Sequence, residues 1–224
     1  MRQRKLRGVS SVEFAFSMLV LLPLLLGTGA TGINLIRTLQ TIQLARDAGH
    51  MYARGVDFSL PGNQTILVRL GSNLGLSATA SSSNSVVIFS ELTYVDKNAC
   101  ALAGAVDASG EPTSACTNYT KWVFTQRYTI GKTTLRSSNY GSPLTSGPTG
   151  VTMDPSTGKI PLNDYVKKAG AVANFSGVNP YSSAGGTTSG LPSGQVLYLA
   201  EAAATGFTMP PFVSNPSTYS WGFF

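Results

Sequence analysis

The sequence predicts an α+β protein in which one long N-terminal helix continues into a small domain built on an antiparallel sheet. Residues 14–36 contain no charged side chain. At about 1.5 Å per residue, a helix of that length crosses a hydrocarbon core of roughly 30 Å. Further along, residues 85–95, 121–130 and 195–204 are rich in the apolar, β-branched and aromatic side chains of strands. The third of these segments is also compatible with a helix because of its alanines.

The long helix is expected to run from about residue 10 to residue 54. Its first half is apolar on all sides, as lipid or a bundle of helices requires. Pro23 lacks an amide hydrogen and is expected to kink the helix. In the second half, apolar side chains recur every three or four residues. They predict one face that packs on the sheet, formed by Leu35, Leu39, Ile42, Ala45, Gly49 and Tyr52.

The remaining segments give less definite signals. Leucines and an isoleucine in residues 66–74 suit a short amphipathic helix, and residues 160–175 suit another that is capped by Asn163. Residues 133–193 are rich in Gly, Ser, Thr, Pro and Asn. They offer too few apolar side chains to offset the roughly 1–2 kcal/mol per residue needed to order a backbone. We expect this region on the surface, facing partners. The aromatic tail, residues 207–224, is expected to pack on the core, with a docking strand as the alternative.

The net charge of +6 comes mostly from the first seven residues. Without Arg2, Arg4, Lys5 and Arg7, twelve basic side chains face ten acidic ones, which leaves +2. No basic patch remains that indicates a nucleic-acid partner. Basic residues that flank an apolar span stay in the cytoplasm. The C-terminal bulk of the chain is therefore expected in the periplasm or outside the cell.

Cys100 and Cys116 are the only cysteines, and they flank a turn-rich stretch between the first two predicted strands. Fifteen intervening residues exclude a Cys-x-x-Cys redox motif, and no histidine lies nearby to complete a zinc site. In an oxidising compartment the two cysteines are predicted to form a disulfide, with free thiols as the alternative.

Recognisable catalytic motifs are missing from the sequence. There is no Gly-x-Ser-x-Gly elbow, no Walker loop and no His-Glu-x-x-His pattern. His50 is the only histidine, and Asp47 is the carboxylate near it, so a metal site is not expected. We predict no catalytic residue, no metal and no cofactor, and a protein that is not an enzyme.

The most informative residue is Glu13, the one charged side chain in residues 8–36. A carboxylate in a membrane span costs roughly 2–3 kcal/mol near the bilayer centre and less at the interface. An ordinary signal peptide or anchor has no use for it. Unless Glu13 is merely solvated among the headgroups, it has a function of its own.

Gly8, four intervening residues, Glu13 and Phe14, followed by a long apolar run, resemble the processing site of type IV prepilins. The stretch GVSSVEFAF, residues 8–16, with Pro23 among leucines, is most similar to TadE-like pseudopilins of the Tad (tight adherence, Flp) pilus system. The resemblance covers about residues 4–55 and is loose beyond them. It implies a pilin-like domain, with a glutamate-containing strand near the C-terminus and the sheet wrapped on the second half of the helix.

The resemblance also implies a domain organisation and a set of partners. Residues 1–8 are a prepilin leader that a prepilin peptidase removes between Gly8 and Val9. Residues 9–36 form a transmembrane and filament-core helix, and residues 37–224 an extracytoplasmic domain. The chain first crosses the bacterial inner membrane once and then moves to the pilus or cell surface. Other pilin subunits and the pilus assembly platform are its implied partners. Glu13 and Phe14 are the implied assembly residues, with Glu13 pairing the freed α-amine of Val9 on a neighbouring subunit.

Three alternatives remain open at the level of sequence. One is a pseudopilin of a secretion system. Another is a secreted adhesin or enzyme with a conventional signal peptide cut after Ala30, where small residues precede the cut. The third is an uncut, single-span periplasmic domain. The N-terminal residue of the mature protein distinguishes the cut forms from the uncut one.

Overall fold

The computed structural model describes residues 4–174 and 194–224, with side chains from residue 11 onward. A long helix, α1, spans Arg4–Ala53. Three short helices follow: α2 at Pro61–Leu70, α3 at Lys97–Leu102 and α4 at Leu162–Lys167. The strands are β1 at Ser85–Tyr94, β2 at Trp122–Gly131, β3 at Val196–Thr205 and β4 at Ser217–Phe223. Single 3₁₀ turns occur at Ser72–Leu74, Ala80–Ser82 and Ala169–Ala171.

The strands form one antiparallel sheet in the order β2-β1-β3-β4. The central strand β1 is buried along most of its length, because it pairs with β2 on one side and β3 on the other. The α+β class and the three predicted strands are confirmed. In the tail, β4 pairs with β3 as the edge strand. Its alternation of Tyr219, Trp221 and Phe223 with small residues is the strand signal that the sequence prediction overlooked.

The second half of α1 packs on one face of the sheet, across β3 and β4. The predicted apolar stripe is correct from Ala45 to Tyr52 but wrong before it. Leu35, Leu39 and Ile42 are 62%, 53% and 44% exposed. The helix face that meets the sheet is instead formed by Ala30, Asn34, Arg37, Thr41, Leu44, Ala45, Ala48 and Tyr52.

The helix face that packs on the sheet carries polar side chains, because they form hydrogen bonds with groups at and beyond the ends of β3 and β4. The Asn34 amide donates to the carbonyl of Phe207 at 3.1 Å and its oxygen accepts from the Phe207 N–H at 2.7 Å. Arg37 donates to the carbonyl of Thr205 at 2.8 Å. The hydroxyls of Thr41 and Thr218 lie 2.7 Å apart in a buried hydrogen bond. An apolar stripe in this part of the helix would have left these strand-end groups without partners.

The opposite face of the sheet is covered by residues 133–174. Val151, Ile160, Val166 and Ala171 are buried there in one cluster with residues of β1, β2 and β3. The expectation that residues 133–193 lie on the surface is therefore wrong within residues 151–174, which supply these buried side chains, whereas residues 133–150 are exposed or half-buried. Residues 175–193 lie outside the described part of the chain.

Backbone hydrogen bonds to the outer edge of β2 order this covering segment. The N–H of Ile160 donates to the Thr125 carbonyl at 2.8 Å, and that of Arg127 donates to the Gly158 carbonyl at 2.9 Å. Gly158 is required at this contact, because its φ is +71° and an added Cβ would lie 1.9 Å from the Arg127 oxygen. The sequence prediction considered only the number of apolar side chains, and it therefore did not include these backbone hydrogen bonds.

Two short helices differ in detail from their predictions. α2 begins at Pro61, five residues earlier than expected, with proline in its first turn, where its missing N–H costs nothing. Asn163 does not cap α4. The N-cap is Pro161, without a side-chain hydrogen bond, and the carboxylate of Asp164 in the first turn accepts from the N–H of Thr152.

The predicted disulfide is confirmed. Cys100, in α3, is bonded to Cys116, and the Cα atoms lie 5.6 Å apart. Both residues are buried. The bridge closes the long connection between β1 and β2 at the end of the sheet where β1 finishes.

Candidate functional site

The first half of α1 makes almost no contact with the rest of the protein, and we call it the bare half of the helix. Nearly every side chain from residue 11 to residue 29 is exposed, including Phe14 and Phe16. Within the described residues, one helix is long and apolar enough to cross a membrane, and it lies near the N-terminus. Such a helix is consistent with a single-pass membrane anchor, although a signal sequence has the same composition. The helix continues without interruption through Pro23 and the glycines that follow it.

The sequence-predicted site residues lie in separate places. Gly8 and Val9 are part of the helical backbone, and their side chains lie outside the described set. Glu13 is exposed, and its carbonyl accepts a hydrogen bond from the Ser17 hydroxyl at 2.9 Å. Seventeen residues, or about 25 Å of helix, separate Glu13 from Ala30, where the contact with the domain begins. The fold therefore holds Glu13 away from the domain and away from the disulfide.

A second polar feature was not predicted: a buried charge pair between β2 and β3. Glu201 is 1% exposed. Its carboxylate accepts hydrogen bonds from the hydroxyls of Ser138 and Tyr219 and from the N–H of Asn139 at 3.2 Å. The guanidinium of Arg127 lies 3.9 Å from the same carboxylate. The carboxylate of Glu201 is thus stabilised by hydrogen bonds from two parts of the chain and by the opposite charge of Arg127.

Arg127 is also held by hydroxyls. Its guanidinium donates to Ser90 at 2.6 Å and to Ser142 at 3.3 Å. Burial lowers the pKa of this guanidinium below its ordinary value, and the nearby Glu201 acts in the opposite direction. Burial and the hydrogen bond to Glu201 raise the pKa of Tyr219, which keeps its hydroxyl protonated and able to donate. The cluster joins β1, β2, β3, β4 and the covering segment, so its evident role is structural.

The sequence contains both charged residues, but it does not show that they lie close together in the fold. Arg127 lies in the second predicted strand and Glu201 in the third. The two charges come together because both of their strands pair with β1. In that pairing Arg127 lies opposite Ser90, and Glu201 lies opposite Ile88, two residues away on the same strand. A charged residue at the centre of each of two apolar strands was the available signal, but strand order was needed to use it.

A shallow cleft of about 340 Å³ opens at the end of the domain away from the exposed first half of α1. Its lining includes Glu91, Tyr94, Leu102, Lys159 and Tyr165. Burial raises the pKa of the Glu91 carboxyl, against smaller lowering effects of Thr125 and Lys159. Among the described residues, no group of three His, Cys, Asp or Glu side chains is arranged to hold a metal ion.

Comparison with protein-family models, with curated proteins and with solved structures gives no match to this chain.

The burial of the charge pair predicts that removing Glu201 lowers the free energy of unfolding far more than removing an exposed glutamate does. Glu201→Ala leaves Arg127 buried without its counter-charge, and such a loss typically costs about 3–5 kcal/mol of unfolding free energy. Glu201→Gln keeps an acceptor for Tyr219 and is expected to cost less. Denaturant unfolding of the purified protein measures both. Glu111→Ala, which breaks the exposed pair with Lys97, is the matched control and should leave the free energy of unfolding almost unchanged. Equal losses for Glu201→Ala and Glu111→Ala would contradict the assignment.

The cleft predicts a pH-dependent gain in stability for Glu91→Gln. A carboxyl whose pKa is raised by folding favours the folded state at low pH, and that contribution is lost as the pH rises through the folded-state pKa. At pH 7 the variant, which has no charge to bury, should melt at a higher temperature than the wild type. Well below about pH 4 the Glu91 carboxyl is protonated in both the folded and the unfolded protein. The melting temperatures of the variant and the wild type should therefore converge there. A difference that is independent of pH would exclude Glu91 ionisation as its cause.

Proposed function

We propose that this chain is a minor pilin or pseudopilin of a Tad/Flp-type pilus, processed after Gly8 and incorporated into, or initiating, a filament for adhesion. The observation that carries the proposal is Glu13, a lone carboxylate five residues beyond Gly8, exposed at the start of a bare apolar helix. The implied partners are a prepilin peptidase, other pilin subunits, the assembly platform and the inner membrane.

The way the domain sits on α1 supports this proposal. The sheet contacts α1 from Ala30 onward, whereas residues 11–29 are left almost free of protein contacts. An apolar half-helix of this kind suits both lipid before assembly and the bundled helices of a filament core afterwards. The same helix can therefore pass from one surrounding to the other without any rearrangement of the domain.

The chemistry of Glu13 supports the proposal independently. Cleavage after Gly8 creates an α-amine on Val9, a positive charge at the end of an apolar helix. In a filament core of low dielectric constant, that amine requires an anion nearby, and Glu13 of a neighbouring subunit supplies it. Because an unpaired charge is strongly disfavoured there, the pair also fixes the register between subunits.

The contact at Ala30 bears on the signal-peptide alternative. Ala30 is fully buried, and Phe212 lies next to Gly27. A cut after Ala30 would remove both of these contacts from the folded domain. The uncut single-span anchor keeps them and is the second candidate.

The mature N-terminus tests the processing step. In cells that contain a prepilin peptidase, intact mass and N-terminal peptide mapping should place the first residue at Val9. Gly8→Leu, which changes the residue before the cut, should leave the full chain in the membrane. A wild-type chain that retains Met1 would favour the uncut anchor, and one that begins at Thr31 would favour the conventional signal peptide.

Glu13→Ala tests the assembly role. Because Glu13 lies far from the domain, the variant should insert in the membrane and melt at the wild-type temperature, yet fail to appear in sheared pilus fractions. Ser17→Ala, one turn further along the helix, is the matched control and should assemble normally. Wild-type levels of the Glu13→Ala protein in filaments would contradict the proposal.

A further inference from the structure

The connection between β3 and β4 presents an apolar tip at the membrane end of the domain. Residues 207–213 read FTMPPFV, and residues 206–224 contain no charged side chain. Met209 and Val213 exchange two backbone hydrogen bonds of 2.9 Å, which close a tight loop. Pro210 and Pro211 are exposed at its end, and Phe212 is 41% exposed.

This tip is fixed against the side of α1. Asn34 binds both backbone groups of Phe207, as described above, and so anchors the base of the loop. At the other end, a methyl group placed on Gly27 would lie 3.6 Å from a ring carbon of Phe212, which is ordinary van der Waals contact. The loop therefore runs along the helix from the level of Asn34 down to the level of Gly27.

Gly27, next to which Phe212 lies, is part of the apolar span of α1. The first charged residue after Glu13 is Arg37, and Gly27 lies ten residues, or about 15 Å, before it. A span needs about 20 residues. If it begins at Phe14 it ends at residue 33, and if it begins at Val9 it ends at residue 28. In either placement, Gly27 and the adjacent Phe212 lie at or inside the outer boundary of the hydrocarbon core.

We propose that residues 209–212 insert into the outer leaflet of the bilayer, at the boundary between acyl chains and headgroups. Their composition suits this position, because Met209, Pro210, Pro211 and Phe212 are all apolar and uncharged. The backbone N–H groups are also accounted for, since those of Met209, Phe212 and Val213 donate within the loop and the two prolines have no N–H. The domain then contacts lipid at two points, the helix and the tip, which fixes its tilt on the membrane.

This inference rests on α1 crossing the membrane and not on pilus assembly. It holds equally for an uncut anchor, so a failure of filament assembly leaves it standing, whereas a mature chain that begins at Thr31 would overturn both proposals.

Spin labelling of the full chain in phosphatidylcholine–phosphatidylglycerol vesicles tests the tip. The native cysteines are bonded to each other, so Phe212→Cys supplies a single thiol for a nitroxide. Leu102→Cys is the matched control, because Leu102 is 78% exposed on α3, at the opposite end of the sheet. Power saturation with oxygen and with a water-soluble nickel chelate reports whether each label is in lipid or in water. The Phe212 label should favour oxygen several-fold more than the Leu102 label does.

Pro211→Cys provides a second position that is exposed and makes no core contact, for use if Phe212→Cys reduces the melting temperature. Its label should also favour oxygen. The proposal is overturned if the tip label is as accessible to the nickel chelate as the Leu102 label. It is also overturned if the tip label is shielded from both reagents, since protein and not lipid would then cover the tip.

Discussion

The contact between the second half of α1 and the face of β3 determines how the rest of this chain is arranged. That face is made of Ala200, Ala202 and Ala204, and the helix brings Ala45 and Ala48 against it. Small side chains on both sides allow the two backbones to approach closely. The polar contacts of Asn34, Arg37 and Thr41 then fix the height at which the helix sits. Everything before Ala30 is left outside the domain as a consequence.

The two faces of the sheet are closed by different means. On the helix side, apolar contacts dominate, with Tyr52 packed between Phe89 and Tyr198 and bonded to Gln126. On the other side, a smaller number of apolar side chains from the covering segment is supplemented by backbone hydrogen bonds to β2 and by the buried pair of Arg127 and Glu201. A buried pair of this kind adds less stability than an apolar pair of equal volume, but it penalises any arrangement in which one charge is left alone. It therefore selects one placement of the covering segment.

Much of this architecture was predictable from local sequence. The strands were visible in β-branched and aromatic runs, the bare half-helix in the uncharged residues 14–36, and the disulfide in two isolated cysteines. The failures arose where pairing over long sequence distances outweighs local pattern. The helix stripe was misassigned at Leu35 and Leu39, because the sheet end required polar partners that only the folded structure reveals. Residues 151–174 were misassigned because backbone hydrogen bonds to β2 help to order them. The likeness to TadE-like chains rests on the N-terminal segment.

The division of α1 into a free half and a docked half is tested most directly by two truncations. A chain that begins at Gly27 loses the bare segment but keeps every helix contact with the sheet. It should unfold cooperatively and in a single transition in water, without detergent. A chain that begins at Ile42 also loses the bonds of Asn34, Arg37 and Thr41, and should melt at a much lower temperature or fail to fold. Equal melting temperatures for the two chains, or the absence of a folded state for the longer one, would contradict the account.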